Sequence, residues 1–368
     1  MGLEGELRVG LRVSRGRIAS VRITSTRPDV ARSLLQGRTR AEVAAAVPLL
    51  FSICGRSQAA VSELACAAAA GEASRADALA HCRASVAAET VREIAWRTLL
   101  DWPKELGEQP TDQAIAAARG SLAIRVGAPA GQGGDAIAAA AFGVAAADWL
   151  AMRSLAELDH WLDAGQTAAA RFIRKLRDDD SADVSARGRM ATSAPLLASL
   201  DHAAWIAELS AACEADPGFS SHPTWRGEPA ETGALARLQS DGLIVELVRR
   251  SASRVPARFV ARLRELAWLL TGRATATVGA QDMPRGGAIA WVENARGLLI
   301  HQVRLDGNHI VDYRIVAPTE WNFHPRGALA LALANTPVSD TEDARRRSLR
   351  LVHSLDPCVA CRVEVDDA

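Results

Sequence analysis

The sequence predicts an α+β fold that is mainly α, a helical bundle with a small β-hairpin near each end of the chain. Two alternating stretches carry the hairpins. Residues 6–24 set Leu7, Val9, Leu11 and Val13 against Ile18, Val21 and Ile23 across Ser14-Arg15-Gly16-Arg17, a period of two on either side of a glycine turn. Leu299, His301, Val303 and Leu305 repeat that pattern ahead of Asp306-Gly307-Asn308, and Ile310, Tyr313, Ile315 and Ala317 complete it. Between them, Ala-rich segments place their apolar residues at helical spacing. A single domain is expected over residues 1–368: a hairpin at 1–30, the bundle at 31–280, then a second hairpin and a Cys-x-x-Cys segment at 281–368.

Within the bundle the pattern is helical from Ala31 to about Ala80, and Pro48 is expected to interrupt it because proline has no amide proton for the helix ladder. Cys54 then falls on a buried helix edge or loop, just after Pro48-Leu49-Leu50-Phe51. From Ala84 to Leu100, Val86, Thr90, Val91, Ile94 and Leu99 form a helical face that stops at Asp101-Trp102-Pro103. Gly127 to Gly134 breaks structure; no Gly-Lys-Ser/Thr follows, so a surface loop is expected rather than a phosphate cradle. A long Ala-rich helical region runs to Leu176, and Asp178-Asp179-Asp180-Ser181 begins a polar connection with its carboxylates in solvent. Further helices are expected over Pro195–Cys213, Thr232–Arg250 and Ala257–Leu270, separated by Asp216-Pro217-Gly218 and Pro256. A last helix, Glu342 to His353, leads to the terminal cysteines.

Hydrophobic residues make up 49% of the chain and charged residues 23%, a core-forming balance with formal net charge zero. No global field draws in nucleic acid or an anionic membrane surface, so neither is an expected partner. Lysine occurs only at Lys104 and Lys175, and Arg345-Arg346-Arg347 is read as a solvated helix face rather than a phosphate clamp. Apolar runs are broken by charge before the ~18–20 residues a membrane helix needs, and no signal-peptide pattern opens the sequence, so a cytoplasmic location is expected.

In a reducing compartment the cysteines at 54, 66, 82, 213, 358 and 361 are metal ligands, reactive thiols or core filler. Cys66 and Cys213 lie in Ala-rich helical stretches and read as filler. Cys82 follows His81 on a helix, where adjacent side chains diverge, so a shared metal is not expected there. Cys358 and Cys361 stand at i and i+3, and a turn or the first turn of a helix brings two such sulfurs to one ion. Two thiols rarely saturate a metal, and Cys54 is the candidate third ligand. Spacing alone leaves metal binding and a pair of packed thiols both open.

Further motifs occur in order along the chain. Leu3-Glu4-Gly5-Glu6-Leu7 resembles an Arg-x-Glu-Gly-His opening, and Gly37-Arg38 with Ile53-Cys54-Gly55 resembles the approach to a first Cys-x-x-Cys. Glu293-Asn294-Ala295-Arg296-Gly297-Leu298-Leu299-Ile300-His301 resembles Glu-Ala-Pro-Arg-Gly-x-Leu-x-His. Pro318-Thr319-Glu320-Trp321-Asn322 with Pro325-Arg326 resembles a Pro-Thr/Ser-x-Trp-Asn-x-x-Pro-Arg block, and Val352-His353-Ser354-Leu355 leads into the last cysteines. Together they resemble the large subunit of nickel–iron hydrogenases from end to end, which implies a large-subunit-like helical bundle.

The departures from that pattern bear on function. In that family two cysteines from each Cys-x-x-Cys hold nickel and iron, whereas Cys54-Gly55-Arg56-Ser57 here replaces one bridging thiolate by a hydroxyl. Serine is a far poorer ligand for a soft divalent ion than thiolate. The histidine that usually follows the first motif is Val61, and Glu364 stands where a histidine or arginine precedes the maturation cleavage point, with no removable extension expected after it. A chain with iron-side surroundings and no full nickel site resembles the HupK/HoxV type of hydrogenase expression/formation protein.

That resemblance implies a non-catalytic scaffold that transiently binds iron with its cyanide and carbonyl ligands and passes it to an apo hydrogenase large subunit, with no stoichiometric nickel. The implied partners are that large subunit and a small HypC-like maturation chaperone. The implied ligands are Cys358, Cys361 and Cys54; Arg296 and Thr319 would donate hydrogen bonds to cyanide, and Pro318 would wall the carbonyl. Glu4 matches the family's proton-relay glutamate next to a cysteine. His301 is read as a core histidine or a donor behind the ligands, and Trp321 as packing. A degenerate hydrogenase-like metalloenzyme and a metal-free docking adaptor for maturation chaperones are the alternatives.

Overall fold

A computed structural model describes residues 5–26, 30–51, 53–72, 76–124, 132–187, 193–197, 203–273 and 277–367. The chain divides into two compact units. One comprises Met1–Cys82, Thr192–Ala236 and Thr277–Ala368, the other Arg83–Ala191 and Arg237–Ala276.

The first unit holds both sheets. β1 (Glu6–Ser14) and β2 (Arg17–Ser25) form the expected hairpin, with Ser14 opposite Arg17. Arg15 and Gly16 both adopt positive φ, 50° and 68°, the turn twist that matches two strands joined by two residues. β3 (Val278–Met283), β4 (Gly287–Asn294), β5 (Gly297–Asp306) and β6 (His309–Val316) make a four-stranded sheet in that order. The β5–β6 hairpin is the one expected from its alternation; β3 and β4 are additional. β4 is buried along nearly its whole length, so it lacks the apolar/polar alternation that marks a half-exposed strand.

The end of the chain also differs from expectation. β7 (Ala360–Asp367) lies parallel to β1 and completes the order β2-β1-β7, so Cys361 sits on a strand opposite Leu7 rather than on a turn or helix.

A capping box, Thr39 with Glu42, starts the helix Arg40–Leu50, and Pro48 lies inside it. The helix ends only at Leu50, two residues on, because a proline in the last turns removes a single ladder bond. The next helix, Gly55–Ala69, starts where a Cβ on Gly55 would stand 3.1 Å from the Pro48 carbonyl oxygen, so glycine lets the two segments approach closely. This helix packs on β4 and β5 and buries Ser57, Gln58, Val61, Ser62, Leu64, Ala65, Cys66 and Ala68.

The second unit is helical among the described residues. Its Val255–Leu270 helix is buried on nearly all sides and pairs its charges inside the unit: Arg264 with Asp241 at 2.9 Å, and Glu265 with Arg237 at 2.7 Å. Trp102, Phe172 and Phe259 pack ring to ring, with centroids 5.0–5.2 Å apart. The stop expected at Asp101-Trp102-Pro103 is a change of winding instead, a π-helical turn at Arg97–Asp101 that continues into Trp102–Glu105. The Ala-rich region is four helices: Gln132–Phe142, Ala146–Ala151, Leu155–Ala164 and Ala168–Arg187.

Two polar expectations are corrected there. Asp178-Asp179-Asp180-Ser181 is helical, and Asp180 is buried, accepting the backbone N–H groups of Ala252 and Ser253 at 2.6 and 2.9 Å. Gly127 to Gly131 lies outside the described residues, whereas Gly133 and Gly134 belong to a helix. Elsewhere, Leu196 is extended and bridges Glu231 before the helix Ala203–Ala215, the segment Thr232–Arg250 is two helices, Ala234–Arg237 and Gly242–Arg250, and Pro256 stands in the first turn of its helix, where its missing amide proton costs nothing. Among the described residues no helix is long and apolar enough to cross a membrane.

Candidate functional site

The C-terminal cysteines follow the helix Thr341–Leu355, which Asp356 ends in a left-handed conformation with φ 51°. The chain then turns through Pro357 and buries Cys358. Thr319, on the helix Pro318–Asn322 just after β6, lies with its Oγ1 3.1 Å from the Cys358 sulfur. The same oxygen accepts the Cys358 backbone N–H at 3.4 Å. Pro318 is buried in the first turn of that helix.

Arg296 is presented by the tip of the β4–β5 hairpin. Asn294 Oδ1 accepts the backbone N–H groups of Arg296 and Gly297 at 3.0 and 3.2 Å, closing the turn. Gly297 has φ 133°, and a Cβ there would fall 2.4 Å from Thr232 Cγ2, so a side chain is excluded twice over. Thr232 Oγ1 accepts the Leu298 N–H at 2.9 Å, and the Thr232 N–H donates to Asn322 Oδ1 at 2.9 Å. The hairpin tip is thereby tied to the Pro318–Asn322 helix. Buried Arg296 points its Nε to within 3.5 Å of Asp356 Oδ2, two residues before Cys358.

Cys361 is half-buried on β7. Burial first, and then the charge of Glu6 on the neighbouring strand, push its thiol up to about 11. Glu6 in turn pairs with Arg8 at 3.3 Å and Arg362 at 3.1 Å.

Cys54 is buried at the start of the helix Gly55–Ala69, as expected. Gln58 Nε2 stands 3.6 Å from its sulfur, Gln58 Oε1 lies 2.8 Å from His301 Nε2, and His301 Nδ1 lies 2.8 Å from the Tyr313 hydroxyl. That hydroxyl is 2.7 Å from Ser62 Oγ. All are buried, and desolvation lowers His301 to about 3, so its ring is neutral. Sequence reasoning singles out neither Gln58 nor Ser62. The signal that could have found them is the spacing of Cys54, Gln58, Ser62 and Cys66, each four residues from the last and hence along one helix face.

The remaining candidates are placed as follows. Glu4 lies outside the described residues. Ser57 is buried in the first turn after Cys54. Cys66, Cys82 and Cys213 are buried, and desolvation pushes Cys66 to about 11 and Cys213 to about 12. Trp321 is core, edge-on to Phe219. His222 and His324 bring their rings to 5.7 Å, and burial foremost lowers His324 to about 4. Among the described residues no three His, Cys, Asp or Glu side chains form a group that could hold a metal ion.

A family model described as nickel-dependent hydrogenase matches residues 271–364, the stretch that carries Arg296, Thr319 and both terminal cysteines. Hydrogenase expression/formation protein HupK of Rhizobium leguminosarum bv. viciae is 34% identical over 376 residues, covering 99% of this chain and 97% of its own. This chain belongs to the HupK/HoxV family of hydrogenase expression/formation proteins. HoxV of Cupriavidus necator is 32% identical over 367 residues, covering 93% of this chain and 92% of its own. The nickel–iron–selenium hydrogenase from D. vulgaris Hildenborough superposes with a TM-score of 0.59 at 17% identity, covering 94% of each chain. The HupK/HoxV-family chain therefore has a hydrogenase large-subunit-like fold.

Proposed function

We propose that the protein is a non-catalytic scaffold in nickel–iron hydrogenase maturation, transiently holding an iron ion with cyanide and carbonyl ligands and passing it to an apo large subunit. The Thr319–Cys358 contact carries the proposal: a hydroxyl 3.1 Å from a buried sulfur is in place to donate to that sulfur when it is an iron ligand. Cys358, Cys361 and Cys54 are the proposed iron ligands. Arg296, whose charge Asp356 balances at 3.5 Å, is the proposed donor to cyanide nitrogen, and Pro318 the apolar neighbour of the carbonyl. Ser57 in place of a bridging thiolate favours carriage over catalysis, since a four-sulfur nickel site lacks one member.

In this reading the cytoplasmic partners are a small HypC-like chaperone, which delivers or shares the iron group, and the apo large subunit that receives it. Metal analysis of protein purified from a host with the maturation genes tests the proposal. Iron without stoichiometric nickel is expected; equal nickel and iron would favour a degenerate metalloenzyme, and neither metal would favour a docking adaptor.

A further inference from the structure

The hydrogen bonds behind Cys54 take their direction from the Gln58 amide, which sets its oxygen on His301 and its nitrogen on the sulfur. Gln58 turns its amide oxygen to His301 Nε2 at 2.8 Å, so that ring nitrogen must carry a proton. The ring is neutral, because burial lowers its protonation to about 3, and it has one N–H only. His301 Nδ1 is then an acceptor, and the group opposite it at 2.8 Å is the Tyr313 hydroxyl, which must donate. Tyr313 has a single proton. The same hydroxyl stands 2.7 Å from Ser62 Oγ. At the other end, Gln58 Nε2 faces the Cys54 sulfur at 3.6 Å, within reach of an N–H···S bond.

We propose that Gln58 is the residue that positions Cys54 for its cargo, its amide N–H on the sulfur and its amide oxygen on the ring of His301, which Tyr313 and Ser62 back. This rests on the reading of Cys54 as an iron ligand. An amide free to rotate would present oxygen or nitrogen to the sulfur indifferently, and an oxygen there repels a thiolate. With Nε2 protonated, His301 donates to the oxygen end of Gln58, which leaves the amide nitrogen for the sulfur. This chain of contacts lies inside one unit, between one helix face and the sheet strands β5 and β6, so the packing that forms the core also sets the donor. Gln58 is a positioning residue: it acts on the cargo only through the Cys54 sulfur.

Two measurements test it. Nitrogen-15 NMR of the histidine rings in the full-length, metal-free protein is expected to show His301 with a protonated Nε2 and a bare Nδ1 over about pH 5 to 8. A ring protonated on Nδ1 instead would mean that the amide is reversed, and would overturn the proposal whatever the protein carries. The second measurement uses Gln58→Met, similar in length and without a donor, purified from a host with the maturation genes. Loss of the N–H···S bond makes the sulfur a stronger electron donor to iron, so the carbonyl infrared band is expected to move to lower wavenumber, with iron retention roughly 10- to 100-fold weaker. An unmoved band with full iron in a folded Gln58→Met protein would overturn the proposal. Wild-type protein without any carbonyl or cyanide band would refute the cargo reading, while the ring-nitrogen pattern would still decide the orientation of Gln58.

Discussion

Thr319 lies 3.1 Å from the sulfur of Cys358 and also accepts the backbone N–H of that cysteine, so one hydroxyl fixes both the backbone and the side chain of a residue 39 positions away. A thiolate there has a donor before any cargo arrives. Thr319→Val keeps the shape and removes the proton. It is expected to cost about 1–2 kcal/mol in urea unfolding, as for a buried hydrogen bond lost, and to weaken iron retention by about 10- to 100-fold. Thr319→Ser keeps the hydroxyl and is expected to retain iron. Equal loss in both variants would assign the effect to packing.

Gly297 is the backbone hinge of the Arg296 hairpin. Its φ of 133°, and the mere 2.4 Å that would separate an added Cβ from Thr232 Cγ2, predict that Gly297→Ala destabilises by roughly 2–5 kcal/mol, the sum of strain and overpacking. Thermal unfolding measures it. A change below about 1 kcal/mol would show that the tip tolerates repacking and that Arg296 is not rigidly presented.

His301 predicts an acid limb. Burial depresses its protonation from the ordinary 6.5 to about 3 in the folded protein. A depressed value means that its share of stability is whole above pH 6.5 and is lost as pH falls towards 3, because the unfolded chain takes up a proton that the folded one refuses. His301→Gln is expected to flatten the stability curve in that window by up to about 1.4 kcal/mol per pH unit, the linkage slope of one proton. Parallel curves for the two proteins would contradict a neutral buried ring.

The terminal pair and Cys54 should divide the ligand role. Cys358 and Cys361 lie three residues apart, so their spacing survives moderate shifts elsewhere, whereas Cys54 comes from a distant helix start. Cys361→Ala is expected to abolish iron retention. Cys54→Ala is expected to weaken it while leaving the fold, read by circular dichroism, largely unchanged. Full iron in Cys361→Ala would remove the terminal pair from the site.

Much of this is legible in the sequence where a signal is local. The hairpin around Arg15-Gly16, the β5–β6 hairpin and the burial of Cys54 follow from alternation and from neighbouring residues. The ordered motifs also point to the large-subunit-like fold. β7 is not legible, because its partner β1 lies at the opposite end of the chain and nothing local to Cys361 announces that pairing. The polar chain behind Cys54 is hidden differently: Gln58 and Ser62 look like solvent-facing helix residues until β5 and β6 bring His301 and Tyr313 onto them. Asp180 shows the converse, an acidic run whose last carboxylate is buried because two backbone N–H groups meet it.

The central claim is that this protein carries iron bearing cyanide and carbonyl, and infrared spectroscopy tests it most directly because those ligands absorb where protein does not. Protein purified from a host with the maturation genes is expected to show cyanide and carbonyl bands that disappear in Cys361→Ala. A wild-type spectrum without such bands, from protein that is folded and obtained alongside active maturation machinery, would contradict the account.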